Sequence, residues 1–131
     1  MKYYLNDENF KTTEKYENFM DANPGIGNLR IRAYALNEAM PVNGVRIEVS
    51  TIFDGDVIVA YDGVTSGSGE IDKIALPAPA ADENNLISPR KRVYQVVATI
   101  ENFAHTYTVN MFDGVCVIQN VKINEEVSEN V

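Results

Sequence analysis

Hydrophobic and polar residues alternate along most of the chain beyond residue 26, and a period of two is typical of β-strands with one buried face. In the first such segment, Leu29, Ile31 and Ala33 alternate with polar or aromatic residues. The segment 57–61 is apolar at nearly every position, which is typical of a strand covered on both faces. These patterns predict seven strands, at about residues 29–35, 45–53, 57–61, 71–76, 93–100, 105–111 and 115–123.

Turn signals separate the predicted strands. Residues 41–44, Pro-Val-Asn-Gly, stand directly before the second strand, and Asp54-Gly55 stands before the third. Proline presets one backbone angle of a turn, while Asn, Asp and Gly accept the left-handed conformation that tight turns require. Seven short strands at roughly even spacing predict an all-β fold, a seven-stranded antiparallel Greek-key β-sandwich. Irregular spacing of the apolar residues in 71–76 also predicts a bulge or a kink.

The first 26 residues follow a helical pattern instead. Tyr16, Phe19 and Met20 are spaced i, i+3 and i+4, which places them on one face of a helix. A threonine at position 12 or 13 can cap its start, and Asn-Pro-Gly at 23–25 ends it. We predict a short helix at about residues 12–22, whose aromatic face either covers one end of the domain or contacts another chain.

This change of pattern divides the chain into three parts. They are an N-terminal extension with the short helix (1–26), the β-sandwich (27–124) and an acidic tail (125–131). The total of 131 residues suits a single domain with its own core.

The chain is acidic, with 11 basic and 19 acidic residues and a formal net charge of −8. Phosphate backbones and anionic lipids attract basic surfaces, so we expect neither nucleic acid nor a membrane as a partner. No segment approaches the roughly 18 consecutive apolar residues of a membrane span, and the start lacks the apolar core of a secretion signal. The single cysteine excludes an internal disulfide. We therefore expect the chain to be made in the cytoplasm.

The sequence offers few groups for catalysis. His105 is the only histidine and Cys116 the only cysteine. Their predicted strands would form a hairpin around Asp113-Gly114, with His105 facing outward, opposite to Tyr107. No acid, oxyanion turn or helix N-terminus accompanies the pair to activate the thiol. A transition-metal site needs two or more His or Cys ligands. We predict no catalytic residue, no cofactor and no such metal site.

Calcium is a separate question, because Asp54, Asp56 and Asp62 supply carboxylate oxygens across two adjacent turns. Their spacing differs from the regular Asp-x-Asp-x-Asp-Gly loop, and Asp-Gly pairs serve turns for conformational reasons alone. We interpret the three aspartates as turn residues and keep a calcium site as the alternative.

Tyr34 is expected to face outward between Arg30 and Arg32. Among the aromatic residues, Tyr34 is the one whose expected exposure would let its ring stack on a sugar. We interpret it as an ordinary surface residue of a strand, because strands favour aromatic residues.

The order of these signals resembles the carboxypeptidase regulatory-like family, which has a transthyretin-like (prealbumin-like) sandwich. In that family a strand leads into a Pro-Val-x-Gly-Ala turn, a Thr-Asp-x-x-Gly hairpin follows, and Leu-Pro and Tyr-x-Val come later. The resemblance covers about residues 27–124, but Val45 and Ser66 depart from the pattern and the loop 77–92 is long. The matching residues are Pro41, Val42, Gly44, Thr65, Gly69, Leu76, Pro77, Tyr94 and Val96.

Two narrower likenesses concern function. Segments 76–80 and 111–123 resemble the sandwich region of clostridial spore cortex-lytic enzyme precursors and related phage proteins. Transthyretin-like folds also include a hydrolase of hydroxyisourate, whose several histidines and C-terminal Tyr-Arg-Gly-Ser this sequence lacks. The resemblance therefore does not imply that hydrolase activity.

We predict a non-enzymatic structural or docking module within a larger assembly, a phage virion or phage-tail-like particle that lysis releases. The alternative is a module that binds cell wall or protein in a spore- or peptidoglycan-lytic system. The partners would be proteins, and self-association is left open. The predicted interface residues are Phe10, Tyr16, Phe19 and Met20 near the helix, and Arg90, Lys91 and Arg92, which the outward Arg46 would join.

Overall fold

The computed structural model of the protein describes residues 1–35, 39–82, 84 and 89–123. Within them the chain forms nine β-strands, a short 3-10 helix and one α-helix. None of the described helices is long and apolar enough to cross a bilayer. In chain order the elements are β1 (Lys2–Tyr4), the 3-10 helix (Phe10–Thr12), α1 (Glu14–Ala22), β2 (Gly25–Ala35), β3 (Met40–Pro41), β4 (Arg46–Phe53), β5 (Asp56–Val64), β6 (Glu70–Ala78), β7 (Arg92–Ile100), β8 (Phe103–Met111) and β9 (Cys116–Lys122).

The strands form two sheets. The first has the order β1-β5-β4-β7-β8; in the second, β6 and β9 both pair with β2, and β3 pairs with its last residues. Most pairs are antiparallel, but β1 runs parallel to β5 and β9 parallel to β2. The predicted β-sandwich with a short helix is confirmed. Purely antiparallel pairing is wrong, the described residues form nine strands and not seven, and the Greek-key connection is not confirmed. The predicted strands correspond to β2 and β4–β9, and the two additional strands are too short to leave a period in the sequence.

The main core lies between the sheets and contains the side chains that alternation places on the inner faces. Leu29 of β2, Ile47 of β4 and Val96 of β7 are fully buried, so both sheets contribute. Burial of each such side chain stabilises the fold by about 1.5–3 kcal/mol. Further fully buried members are Ile31, Val45, Val49, Leu76, Tyr94, Met111 and Val121.

A second, aromatic core lies where the N-terminal segment packs on the first sheet. Phe10 and Phe19 are 3% and 0% exposed, and both pack with Ile58 of β5. The Phe19 ring meets the Phe53 ring edge-on, with 5.3 Å between their centroids, and Tyr3 stacks on Phe10 at 4.9 Å. Of the two alternatives for the aromatic helix face, the structure shows the first, because the face covers part of the chain's own sheet.

The predicted threonine cap and the end of the helix at residue 22 are confirmed, but Gly25 belongs to β2 and does not take the left-handed conformation expected of it. The Thr13 side-chain oxygen accepts a hydrogen bond from the Tyr16 amide at 3.2 Å, which caps α1. The helix therefore begins at Glu14, and the residues before it form the 3-10 turn. At the other end, the Asn23 side-chain amide donates to the Phe19 carbonyl at 2.8 Å.

The first 26 residues are joined closely to the sandwich. Strand β1 is an edge strand of the first sheet, and the Leu5 amide donates to the Val59 carbonyl at 2.8 Å. Residue 26 itself lies inside β2. The acidic tail, 125–131, lies outside the described residues.

The predicted turns are largely confirmed. Asp54 and Gly55 have φ angles of 50° and 81° and form a two-residue turn between β4 and β5. Gly44 has a φ of 80°, but Pro41 belongs to the short strand β3 and not to the turn. The predicted bulge appears as a register shift between β2 and β6, between Leu29 and Ile31.

Candidate interaction surface

The structure places the aromatic residues of the predicted interface against their own chain. Phe10 and Phe19 form the second core, and Tyr16 and Met20 are partly buried against it. A partner could reach the two phenylalanine rings only if α1 left its position. Tyr16 and Met20 keep some exposed surface beside the helix.

The predicted basic segment splits into two parts with different surroundings. Arg90 and Lys91 are exposed, whereas Arg92 points toward α1. Arg92 Nε donates to Asn23 Oδ1 at 3.1 Å, and its guanidinium lies 5.6 Å from the centroid of the Phe19 ring. Arg92 therefore attaches the helix end to the sheet.

Arg46 does not join that basic segment, which corrects the prediction. The antiparallel register of β4 and β7 places Arg46 opposite Thr99, seven residues along β7 from Arg92, or about 23 Å. Its guanidinium instead pairs with Asp62 at 2.8 Å. Hydrogen bonding by Arg46 lowers the pKa of the Asp62 carboxyl.

The three aspartates weighed as a calcium site do not meet. Asp56 pairs with Lys15 at 2.9 Å, and Asp62 lies six residues further along β5, about 20 Å away. Asp54 occupies the hairpin turn. Within the described ranges no group of three or more acidic, His or Cys side chains is arranged to hold a metal ion. Asp54 is a turn residue, as interpreted from the sequence, whereas Asp56 and Asp62 form ion pairs with Lys15 and Arg46.

His105 and Cys116 lie in different sheets, so the expected hairpin of their strands is wrong. Strand β8 pairs with β7, and β9 pairs with β2. His105 also shares the face of Tyr107, with ring centroids 4.6 Å apart, and does not face the opposite way as predicted. The crossover between the sheets is held by Asp113, whose carboxylate accepts the Ile26 and Ala81 amides at 3.1 and 3.0 Å.

The outer side of the second sheet brings together residues that are far apart in the sequence. Because Leu29 and Ile31 point into the core, the even-numbered residues of β2 point outward. The parallel register with β9 sets Arg30 beside Ile118, Arg32 beside Asn120 and Tyr34 beside Lys122. We name this surface the basic face; its members are Arg30, Arg32, Tyr34, Ile118, Asn120 and Lys122.

The basic face carries three cations, and two carboxylates of β6 lie beside them. Arg30 Nη2 lies 2.6 Å from Glu70 Oε1 and 3.8 Å from Asp72 Oδ1. Arg32 Nε lies 3.9 Å from the other oxygen of Glu70, and the three cations and two carboxylates together leave a balance of one positive charge. The hydrogen bond from Arg30 lowers the pKa of Glu70 and keeps it ionised. Lys122 has no ion-pair partner within the described residues. A positive surface in a chain of net charge −8 is a local reversal of sign.

The basic face also carries apolar surface. Ile118 is 52% exposed at its centre, and Cys116 is exposed on the same side of β9. Among the described strands, β9 pairs with β2 alone, so its second edge has no strand partner. An exposed aliphatic side chain among cations, next to a free strand edge, can contact a partner by burial, charge and backbone hydrogen bonds.

Sequence reasoning identified the parts of this surface but not their combination. Alternation predicted an outward position for Tyr34 between Arg30 and Arg32. In 115–123 it set Ile118 and Lys122 on one face, without indicating which face is exposed. Their proximity depends on the parallel pairing of β2 and β9, and no local signal in either segment indicates that pairing.

Comparison with known proteins identifies a fold and no family. No family model matches the chain, and no curated protein matches its sequence. A mutant of the shaft pilin SpaA from Lactobacillus rhamnosus GG matches with a TM-score of 0.57 and 19% identity, over 76% of this chain and 47% of the pilin. The chain thus spans about half the length of that pilin.

Two further solved structures match with the same coverage of this chain. The Bacillus anthracis TIE protein has a TM-score of 0.51 and 14% identity, over 76% of this chain and 16% of the other. An (S)-allantoin synthase has a TM-score of 0.51 and 8% identity, over 76% and 41%. At these identities the likenesses show the fold alone, and they support the transthyretin-like sandwich that the sequence resemblance implied.

Proposed function

We propose that this chain is a non-enzymatic structural module that joins macromolecules within a larger assembly. The observation that carries the proposal is the basic face, where an exposed Ile118 lies among Arg30, Arg32 and Lys122 in an otherwise acidic protein. Contact surfaces combine a central apolar residue with a charged rim that selects the partner.

The fold comparison supports the same reading without establishing it. A shaft pilin is a structural protein by its name, and about three quarters of this chain matches part of one. The finer proposal is a component of a phage virion or phage-tail-like particle, made in the cytoplasm and assembled there with protein partners. The narrower likeness of segments 76–80 and 111–123 to phage-related proteins motivates it.

The proposal is tested by incorporation into particles from the native source. Density-gradient fractions would be analysed by quantitative mass spectrometry, with Arg32→Glu/Lys122→Glu compared against the wild type. We expect the wild-type chain at a fixed, multi-copy ratio to other particle proteins, and the variant at least tenfold depleted. The matched control is Lys2→Glu/Lys11→Glu, with the same charge change at two exposed lysines that belong neither to the basic face nor to the predicted interface residues.

Two results would contradict the proposal. One is absence of the wild-type chain from every particulate fraction. The other is equal incorporation of the wild type and the basic-face variant. Retention of the purified chain on peptidoglycan would favour the cell-wall alternative.

A further inference from the structure

We infer that the basic face is a docking site for a second copy of this chain, which contacts it through the exposed side of α1. This inference rests on the proposed function, since it names the partner of the same surface. It follows from the charges and apolar groups that each surface presents.

The exposed side of α1 complements the basic face in charge. Glu14, Glu17 and Asp21 are exposed, and their spacing of three and four residues aligns them along one side of the helix. Phe19 lies on the opposite side, in the second core. Partly buried Met20 borders the acidic row and offers an apolar contact, as Ile118 does on the basic face.

The acidic groups on the exposed side of α1 and Lys122 of the basic face have no ion-pair partner within the described residues, whereas Arg30 and Arg32 already face Glu70. Within the described residues no ion pair involves Glu14, Glu17 or Asp21, and none joins α1 to the basic face. Lys15, the cation within α1, is already paired with Asp56. Contact between two copies would therefore form a new ion pair at Lys122, while Arg30 and Arg32 would share their charge between Glu70 and the docked helix.

The contact joins two different surfaces, so it is a head-to-tail contact. Such an interface leaves one free surface at each end and propagates into a chain, or closes into a ring. The net charge of −8 opposes association at long range. At about 0.1 M salt the screening length is about 10 Å, so distant repulsion is weakened more than ion pairs in direct contact.

The test uses the full chain in sedimentation velocity at about 0.1 M salt. One variant neutralises the basic face (Arg32→Gln/Lys122→Gln), and the other neutralises the helix side (Glu17→Gln/Asp21→Asn). We expect the wild type to form concentration-dependent oligomers and each variant alone to associate about tenfold more weakly. In an equimolar mixture, the intact helix side of the first variant can dock on the intact basic face of the second, and both remaining surfaces are neutralised. We therefore expect dimers with one copy of each variant and no larger species.

All four substituted side chains are exposed, so we expect both variants to fold, and circular dichroism would confirm it. Self-association that persists in the helix variant, or a mixture that does not pair, would overturn head-to-tail docking. A wild-type chain that stays monomeric would overturn the choice of partner. The proposed function would then still be decided separately by particle incorporation, which requires no second copy.

Discussion

Thr65 shows how one small polar residue can hold a corner of the sandwich. It is 1% exposed, and its hydroxyl donates to the Val42 carbonyl at 2.8 Å and accepts from the Val45 amide at 3.0 Å. The Gly44 amide adds a bond to the Thr65 carbonyl at 3.0 Å. The Pro-Val-Asn-Gly corner is therefore fixed by a residue some twenty positions later in the sequence.

Thr65→Val should destabilise the fold by about 2–4 kcal/mol, because the isosteric side chain leaves a buried donor and a buried acceptor unpaired. Urea unfolding followed by circular dichroism measures the change. Thr65→Ser keeps the hydroxyl and should recover most of the stability. A valine variant as stable as the wild type would contradict the role given to the hydroxyl.

Tyr94 is a second residue whose polar atom is buried. Its hydroxyl donates to the Pro77 carbonyl at 2.6 Å inside the main core, and burial raises the pKa of the phenol well above its usual range. Because the folded pKa exceeds the unfolded value of about 10, this stabilisation is complete below pH 10 and is lost as pH rises further.

The free energy of unfolding should therefore fall above pH 10, with Tyr94 contributing up to about 1.4 kcal/mol per pH unit. Tyr94→Phe should begin less stable by about 1–3 kcal/mol, because the Pro77 carbonyl is left unpaired. Its stability should then decline less steeply with pH. Urea titrations between pH 9 and pH 11.5 measure both slopes, and Tyr4→Phe, which removes an exposed hydroxyl, is the control. Equal slopes for wild type and Tyr94→Phe would contradict the assignment.

At the scale of elements, Arg92 joins the end of α1 to the sandwich, in addition to the rings of the second core and the ion pair between Lys15 and Asp56. The Arg92 guanidinium lies 5.6 Å from the centroids of both Phe19 and Phe53, and it bonds to Asn23 and to the Ile52 carbonyl. Asn23 in turn holds the last turn of the helix through Phe19. The helix end, β4 and β7 thus meet at a single side chain.

Arg92→Met keeps much of the side chain's volume and removes the charge and the hydrogen bonds. We expect a loss of about 1–3 kcal/mol, since one buried partner, Asn23 Oδ1, loses its donor. Amide hydrogen exchange should accelerate in α1 more than in β7. Arg90→Met is the matched control, because Arg90 is exposed. Uniform acceleration across the sandwich would show that Arg92 does not act specifically on the helix.

The sequence predicted those elements whose signals are local. Alternation placed Leu29 and Ile31 correctly in the core, and the spacing of Tyr16 and Phe19 predicted the helix face. His105 was misplaced because its polarity was given more weight than its position two residues before Tyr107. Pairings between distant segments were not predictable, because a strand's own residues do not identify its neighbour.

The same limit explains why the surfaces were only partly predicted. Arg92 belongs to a basic run in the sequence, and only the folded structure shows that it faces Asn23 and not a partner. The basic face requires β2 and β9 to lie side by side, although their sequences are separated by about eighty residues. The net charge of the sequence indicates an acidic protein, and a sum over the whole chain does not show that one local surface has the opposite sign.

At the scale of the whole molecule, two cores share the first sheet. One is covered by the second sheet, and the other by the N-terminal segment with Phe10 and Phe19. Strand β1 adds backbone pairing along Lys2–Tyr4 to the same sheet. The N-terminal segment is therefore expected to contribute to the stability of the sandwich and not only to its contacts.

Deletion of residues 1–24 provides the test at this scale. It would remove an edge strand and two large buried rings, and loss of a single buried phenylalanine already costs about 3–5 kcal/mol. We expect the truncated chain to be unfolded or to melt far below the wild type, as measured by differential scanning calorimetry. Phe19→Ala in the full chain should give a smaller shift in the same direction, while Glu17→Gln on the exposed side of α1 should give almost none. A truncated chain that melts like the wild type would instead show that the extension does not contribute to the stability of the sandwich.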